Sequence, residues 1–267
     1  MLELEHGFRV VDTHLRLEPD ETRRPRDIGD PEQVERELRQ AGIVEALAVP
    51  AKREEYTGVN NAVARIAVDR PLLAAARITG VRDPSTGPTA RLRNVSRSRT
   101  DRHTHPTEIE QYAYEDRFVA FALDPTVDGL PDEAVLAALE RVDLPVLTYG
   151  GRGFPPRRIE RTLLTREFPV VIAHFGGYPL DRELTAAAVD LLAEHERCFL
   201  DTSFVRFRDP LERAVIEHPD RVLFASGAPA THPNVAIMEI LTLDVTEDAM
   251  SRVFSTNAAR VLPALAP

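Results

Sequence analysis

Lysine is almost absent from this chain: Lys52 is the only one, so its positive charge is carried nearly everywhere by arginine. A genome rich in G and C and a salt-adapted cytoplasm both produce that bias, and the sequence leaves the two open. Cysteine is as scarce. Cys198 stands alone, which excludes an intrachain disulfide and a metal site built on cysteines. It lies in the apolar run RCFLD and reads as a buried structural thiol. No stretch reaches the roughly 20 consecutive apolar residues of a membrane span. The opening MLELEHGFRVVD has neither the basic start nor the apolar run of a secretory signal. A cytoplasmic protein without a membrane partner is therefore expected. The formal net charge of −10 disfavours nonspecific contact with nucleic acid or anionic lipid. A small molecule is the expected partner, and nothing in the sequence speaks to oligomeric state.

What is present points to an α/β protein. At 267 residues, 43% hydrophobic and 28% charged, the chain has the size and apolar content of one α/β barrel domain spanning residues 1–267. Short apolar runs alternate with helical patterns, as in repeated βα units around a parallel sheet. The expected strands are Arg9–Asp12, Val44–Val49, Leu72–Ile78, Phe118–Leu123, Val146–Tyr149, Val170–His174, Cys198–Asp201 and Val222–Ser226. Most are apolar throughout, as strands covered on both faces should be. The fold expected is thus a single (β/α)8 TIM barrel. Asp30-Pro31 and Asp209-Pro210 each place a capping oxygen before a proline suited to the first helical turn. Thr107 and Thr246 mark further helix starts, and Asp181–His195 carries the clearest helical spacing. The segment from Thr79 to Pro106 reads instead as a long polar loop, rich in arginine (Arg82, Arg91, Arg93, Arg97, Arg99, Arg102). Such a loop is either a lid that guides anions or a solvated connection.

Chemistry-bearing residues cluster at the expected strand ends. The first strand runs into VVDTHLRL, where His14 and Arg16, two apart, share one side of an extended chain. The fifth gives LPVLTYGG, the sixth VVIAHFGG, the seventh FLDTS and the eighth VLFASGAP. In this order the segments resemble the amidohydrolase-related family of metal-dependent barrel hydrolases and decarboxylases, over nearly the whole chain. That family's first strand ends in two histidines one residue apart, its fifth and sixth strands each usually end in histidine, and its eighth usually carries an aspartate. On this resemblance His14 stands for the first histidine and Arg16 for the second. Tyr149 takes the fifth-strand position, His174 keeps the sixth, Asp201, Thr202 and Ser203 fit the seventh-strand segment, and Gly227 replaces the aspartate.

These replacements change the expected chemistry. A catalytic zinc typically takes three protein ligands, and only His14 and His174 remain, with Tyr149 or Asp201 as conceivable additions. Arg16 has no lone pair and carries a fixed charge. The expectation is a site without cofactor or bound metal. Arg16 then supplies positive charge to a carboxylate, phosphate or developing oxyanion; the alternative is an ion pair of Arg16 with Asp12 or Asp201. His14, His174 and Asp201 are the candidate proton-transfer groups, Tyr149, Thr202 and Ser226 the candidate ligand-binding ones, and Asp12 a residue that positions backbone. The pocket is expected at the ends of strands one, five, six, seven and eight, beneath the Thr79–Pro106 loop. Two functional readings stay open: an enzyme of hydrolase or carbon–carbon lyase type acting on a small anionic or carbonyl-containing molecule without metal, and a noncatalytic ligand-binding, regulatory or partner-binding barrel. His103 and His105 in DRHTHP lack a convincing third ligand, Lys52 reads as an exposed side chain, and the pairs Gly150-Gly151 and Gly176-Gly177 as tight turns.

Overall fold

Parallel pairing runs without a crossover from the first strand to the eighth, in the order in which they occur along the chain. The computed structural model describes residues 6–17, 30–51, 56–85, 87–96, 98–114 and 117–266; Lys52 and Arg97 lie outside the described residues, as do the side chains of Arg91 and Arg93. The elements are β1 (Val10–Leu17), α1 (Pro31–Gln40), β2 (Ile43–Pro50), α2 (Thr57–Val68), β3 (Leu72–Arg77), α3 (Pro88–Ser96), α4 (Pro106–Tyr114) and β4 (Phe118–Leu123). They continue with α5 (Pro125–Asp128), α6 (Glu133–Val142), β5 (Val146–Thr148), α7 (Pro156–Thr162), β6 (Val170–Ile172) and α8 (Arg182–Glu194). The last are β7 (Cys198–Asp201), α9 (Arg208–Glu217), β8 (Val222–Leu223), α10 (Pro233–Leu241), α11 (Glu247–Ser251) and α12 (Asn257–Val261). Backbone bonds from Thr13 N–H to Phe224 O (2.9 Å), Gly227 N–H to His14 O (3.0 Å) and Arg16 N–H to Ala228 O (2.8 Å) bring the last strand back to the first. The result is a (β/α)8 TIM barrel.

The apolar strands serve two layers at once. Val146, Val170, Ile172, Leu200 and Val222 belong to the layer between sheet and helices. Their neighbours Leu147, Val171, Phe199 and Leu223 belong to the barrel interior. Ala258, Val261, Leu262 and Leu265 join that interior from the C-terminal segment. The Arg9 guanidinium bonds Leu265 O there at 3.1 Å, so this segment plugs the end where the strands begin. Each leucine buried there contributes about 1.5–3 kcal/mol. The opposite end, where the strands finish, stays open.

Several helix starts follow the sequence. Asp30 accepts Glu32 N–H, Asp181 accepts Leu184 N–H and Thr246 accepts Ala249 N–H. Two begin two residues earlier than their expected caps imply. α9 begins at Arg208, which puts Asp209 inside the first turn; a carboxylate is favourable there against the helix dipole. α4 begins at Pro106, and His105 does the capping: its N–H bonds Glu108 Oε2 at 2.6 Å and its Nδ1 accepts Thr107 N–H at 3.3 Å. His103 Nδ1 likewise accepts Thr100 N–H at 3.0 Å, so both histidines lock turns. The Thr79–Pro106 segment, expected as loop throughout, contains α3. Its neck is clipped by reciprocal bonds of 2.9 Å, Thr79 N–H to Thr104 Oγ1 and Thr104 N–H to Thr79 Oγ1. Among the described residues no helix is long and apolar enough to cross a membrane.

Candidate functional site

A bulge in β1 makes the site. Asp12 is aligned with Ala46 of β2, and three residues later Leu15 is aligned with Ala48, two residues on. The extra residue shifts the alternation of faces. Before the bulge Val11 is in the interior; after it Leu15 and Leu17 pack outward, and His14 and Arg16 line the open end. Asp12 fixes the bulge from beneath: its carboxylate accepts His14 N–H at 3.0 Å, Ser226 N–H at 3.0 Å and the Ser226 hydroxyl. Its pKa is raised by burial against these hydrogen bonds. Asp12 therefore positions backbone, as its place in the first-strand motif suggests.

Asp201, fully buried at the end of β7, is the hub of the site. Its Oδ2 accepts His14 Nδ1–H at 2.8 Å. Its Oδ1 accepts the backbone N–H of His174 at 2.9 Å and of Ser203 at 3.0 Å, and the Ser203 hydroxyl at 2.5 Å. Burial opposes its ionisation, but His14 and these donors hold its pKa below the usual range. Ser203 has one proton and gives it to Asp201. The 2.8 Å contact between Ser203 Oγ and His174 Nδ1 therefore has the imidazole as donor, which leaves His174 Nε2 with a bare lone pair. His174 is buried, and burial first, then His14 and Arg16, bring its pKa down to about 3 against the pull of Asp201. It is a neutral ring at neutral pH.

His174 is also conformationally unusual. His174 (φ 59°), Phe175 (φ 51°) and Phe204 (φ 55°) are non-glycine residues in the left-handed region, at roughly 1–2 kcal/mol each. Such residues gather where a side chain must be aimed. The His174 ring lies 5.4 Å from that of His14, 5.9 Å from Tyr149, 5.0 Å from Tyr178 and 5.0 Å from Phe204. That aromatic surround is the desolvation that keeps it neutral.

The pocket itself opens at the ends of β1 to β6, not at those of strands seven and eight. His14, Arg16, Tyr149 and His174 line it, as expected; Arg77 and Asp124 join them. Its free volume is about 40 Å³, room for a few water-sized groups, such as a carboxylate. The small side chains of Ala122 and Ala173 leave that space. None of the described residues of the Thr79–Pro106 segment lines it. Thr202 and Ser226 are not among the described residues that line it. The Thr202 hydroxyl bridges Ala225 O and Ala225 N–H across β7 and β8 (3.2 and 3.0 Å). The Ser226 hydroxyl joins Asp12 to Ala228 N–H.

Arg16 carries the pocket's electrostatics. Open to solvent through the mouth yet largely enclosed, it has its pKa lowered by burial and then by Arg77, while Asp124, Tyr178 and Asp201 pull it up. Arginine keeps its charge regardless. No ion pair or side-chain hydrogen bond of Arg16 is formed among the described residues, so the alternative pairs with Asp12 and Asp201 are not made: those carboxylates are engaged elsewhere. Arg77, by contrast, is clamped. Its Nε donates to Asp128 Oδ2 at 3.0 Å and one terminal nitrogen to Pro50 O at 3.2 Å, and it stacks 5.0 Å over Tyr56. Tyr56 in turn donates to Asp128 Oδ1 at 2.7 Å. Asp124 caps α5 through Oδ1, which accepts Thr126 N–H at 3.1 Å. Sequence reasoning missed both. The available signals were a lone charged residue ending the Leu/Ala run of β3 and an Asp-Pro pair directly after β4.

The amidohydrolase family profile matches residues 11–264, almost the whole described barrel. The chain belongs to the amidohydrolase family. No curated protein matches it. Among solved structures, an uncharacterized TIM-barrel protein from Bordetella bronchiseptica shares 19% identity at a TM-score of 0.68, over 96% of this chain and 99% of that one. A 5-carboxyvanillate decarboxylase from Sphingomonas paucimobilis shares 14% at 0.61, over 96% and 99%. A 2,6-dihydroxybenzoate decarboxylase from Rhizobium shares 15% at 0.63, over 96% and 99%. At such identities the likeness carries the fold alone.

The metal that this amidohydrolase resemblance implies finds a poor donor set. Ligand atoms of His14, His174 and Asp201 do lie within 4.8 Å of one another. Asp201, however, already spends both oxygens on His14, His174 and Ser203. At Gly227 (φ 68°), where the family usually has aspartate, an added Cβ would meet Phe204 ring carbons at 3.0 and 3.2 Å. A side chain at 227 would press on the Phe204 ring. Arg16 adds a fixed positive charge beside the two histidines. The donor set is thus reduced from the family's to His14, His174 and Asp201, with a fixed positive charge beside it.

Proposed function

We propose that the pocket takes the anionic or carbonyl end of a small molecule at Arg16, and that His14, oriented by Asp201, exchanges a proton with it without a metal ion. The observation that carries this reading is the Arg16 guanidinium, which lines the pocket with no carboxylate partner among the described residues. An arginine fork in such a place favours a carboxylate, or an oxyanion that develops during reaction. His14 presents Nε2 while Asp201 holds Nδ1, the arrangement by which an orienting carboxylate fixes an imidazole that transfers protons. Asp124, also lining the pocket, adds a carboxylate to the same cavity. His174, kept neutral with a bare Nε2, accepts a hydrogen bond from the ligand rather than serving as base at neutral pH.

Of the two reaction classes that the family offers, the missing eighth-strand carboxylate weighs against hydrolysis, because no equivalent group stands at Gly227 to activate water. Loss or gain of a carboxyl group at a carbon needs only a proton acceptor or donor and a charge stabiliser, both of which the pocket has. A second reading, a noncatalytic ligand-binding barrel, is favoured by the low pKa of His174 and by Phe204, which leave fewer groups able to move protons. The names of the structural relatives suggest probes: 2,6-dihydroxybenzoate and 5-carboxyvanillate. Thermal-shift and calorimetric titration of each, with Arg16→Ala in parallel, is the test. Binding that disappears in Arg16→Ala while the melting temperature of the free protein holds supports the reading. Binding that Arg16→Ala leaves unchanged removes Arg16 from it. Release of carbon dioxide or its absence then separates enzyme from binding protein.

A further inference from the structure

A second concavity lies beside the pocket. The connection from β5 to α7 is shared between them: Tyr149 lines the pocket, and its hydroxyl accepts the N–H of Gly153, which lines the neighbouring groove. This groove has a free volume of about 510 Å³ and an open face. It is lined by Asp83 and Ser85 from the connection after β3, and by Arg152, Arg157, Arg158 and Arg161 from α7 and the turn before it.

Three of the four arginines here have no carboxylate partner among the described residues. Several arginines elsewhere on the surface reach carboxylates, Arg141 with Glu110 at 2.6 Å, Arg166 with Glu133 at 2.7 Å and Arg213 with Asp190 at 2.7 Å, while others such as Arg65 and Arg221 bond only backbone oxygens. Arg157, Arg158 and Arg161 form neither an ion pair nor a side-chain hydrogen bond among the described residues. Arg152 is held by Asp181 at 3.2 Å. Glu160, the acid on the same helix, lies 3.9 Å from His195 at the end of α8. Asp83 spends Oδ1 on the Ser85 N–H and hydroxyl (2.9 and 2.6 Å). Arg157 and Arg161 are four apart on one helix face, where like charges repel. A chain with net charge −10 therefore keeps a local excess of positive charge in a concave place.

We infer that this groove binds a small molecule bearing more than one phosphate charge, at a site separate from the Arg16 pocket. Guanidinium forks match phosphate oxygens in pairs, and a concave surface of this volume suits a small molecule better than a flat macromolecular contact. The bound anion would relieve the repulsion within α7 and press on the loop that also holds Tyr149.

Inorganic pyrophosphate is the probe, titrated calorimetrically into the full chain at low and at raised salt. The expected result is saturable binding that weakens as salt rises. Arg157→Ala/Arg158→Ala/Arg161→Ala should weaken it by about tenfold or more, since removing even one charge-assisted hydrogen bond has an effect of that order. Circular dichroism of this variant checks its fold, and the single variant Arg158→Gln, closer in shape, should show a smaller loss in the same direction. Arg16→Ala should bind pyrophosphate as the parent does. No binding by the parent, or binding indifferent to the α7 substitutions, overturns the inference. Loss in Arg16→Ala instead places the anion in the pocket and overturns a separate site. Citrate binding as tight as pyrophosphate would overturn the assignment to phosphate.

Discussion

Acidification should unfold this barrel partly through one side chain, His174. Its pKa stands at about 3 in the folded state, because burial among Tyr149, Tyr178 and Phe204 outweighs the pull of Asp201. In the unfolded chain a histidine titrates near 6.5. Between those values the unfolded state binds a proton that the folded state refuses, so stability rises with pH across this window and falls as pH drops through it. The slope approaches roughly 1.4 kcal/mol per pH unit well below the unfolded pKa and is half that at it, which gives about 2 kcal/mol between pH 6.5 and 4.5. Urea unfolding at half-unit pH steps measures it, and His174→Gln, which cannot titrate, provides the reference. The parent should lose about 2 kcal/mol more than the variant over that interval. Nitrogen-detected NMR of the parent supplies a check that does not depend on the variant folding: the His174 ring should remain neutral, protonated at Nδ1, down to about pH 4. A ring that titrates near pH 6, or equal acid slopes for parent and variant, would refute the reasoning.

Other substitutions probe the same hub. Asp201→Asn puts an amide where His14 Nδ1–H needs an acceptor and should cost about 3 kcal/mol of unfolding free energy, read by urea titration; a loss under 1 kcal/mol would contradict the hydrogen-bond assignment. Because the Asp201 pKa lies below its ordinary value, its contribution is present above about pH 4 and lost as pH falls through the folded value, so the variant's stability should respond less to pH there. Gly227→Ala forces a side chain into the left-handed region and against Phe204 and should destabilise by about 2–3 kcal/mol; pairing it with Phe204→Ala should recover the steric part, as a double-mutant cycle would show. Cys198 is fully buried and its thiol is pushed up to about 12 by burial, so a thiol reagent should modify it only at the rate of unfolding. Rapid labelling of the native protein would contradict that placement.

The barrel is legible because its strands are apolar on both faces. Phe118–Leu123 and Cys198–Asp201 are bounded in the structure as the sequence suggests. β1 runs past the expected Arg9–Asp12, because His14 and Arg16 interrupt the apolar run and hide its continuation; they belong to the strand and are polar because the bulge turns them into the pocket. α3 escapes notice for the opposite reason. Its Leu92 and Val95 are exposed, so no buried stripe imposes a helical period. His14, Arg16, Tyr149 and His174 converge as the family resemblance implies. Thr202 and Ser226 do not reach the pocket, because strand pairing consumes their hydroxyls. The Arg77–Asp128–Tyr56 clamp joins residues up to 72 positions apart, and the approach of Phe204 to Gly227 is a contact between loops. Neither leaves a trace in local pattern.

Metal content of the purified protein, measured by mass spectrometry after exhaustive dialysis, tests the central claim most directly. A site built around Arg16, with Asp201 committed to His14, His174 and Ser203, predicts well under one equivalent of zinc, manganese or any other divalent ion. Near-stoichiometric metal that survives dialysis would contradict it: Asp201 would then have to leave its hydrogen bonds to coordinate, and Arg16 would no longer be the pocket's source of positive charge.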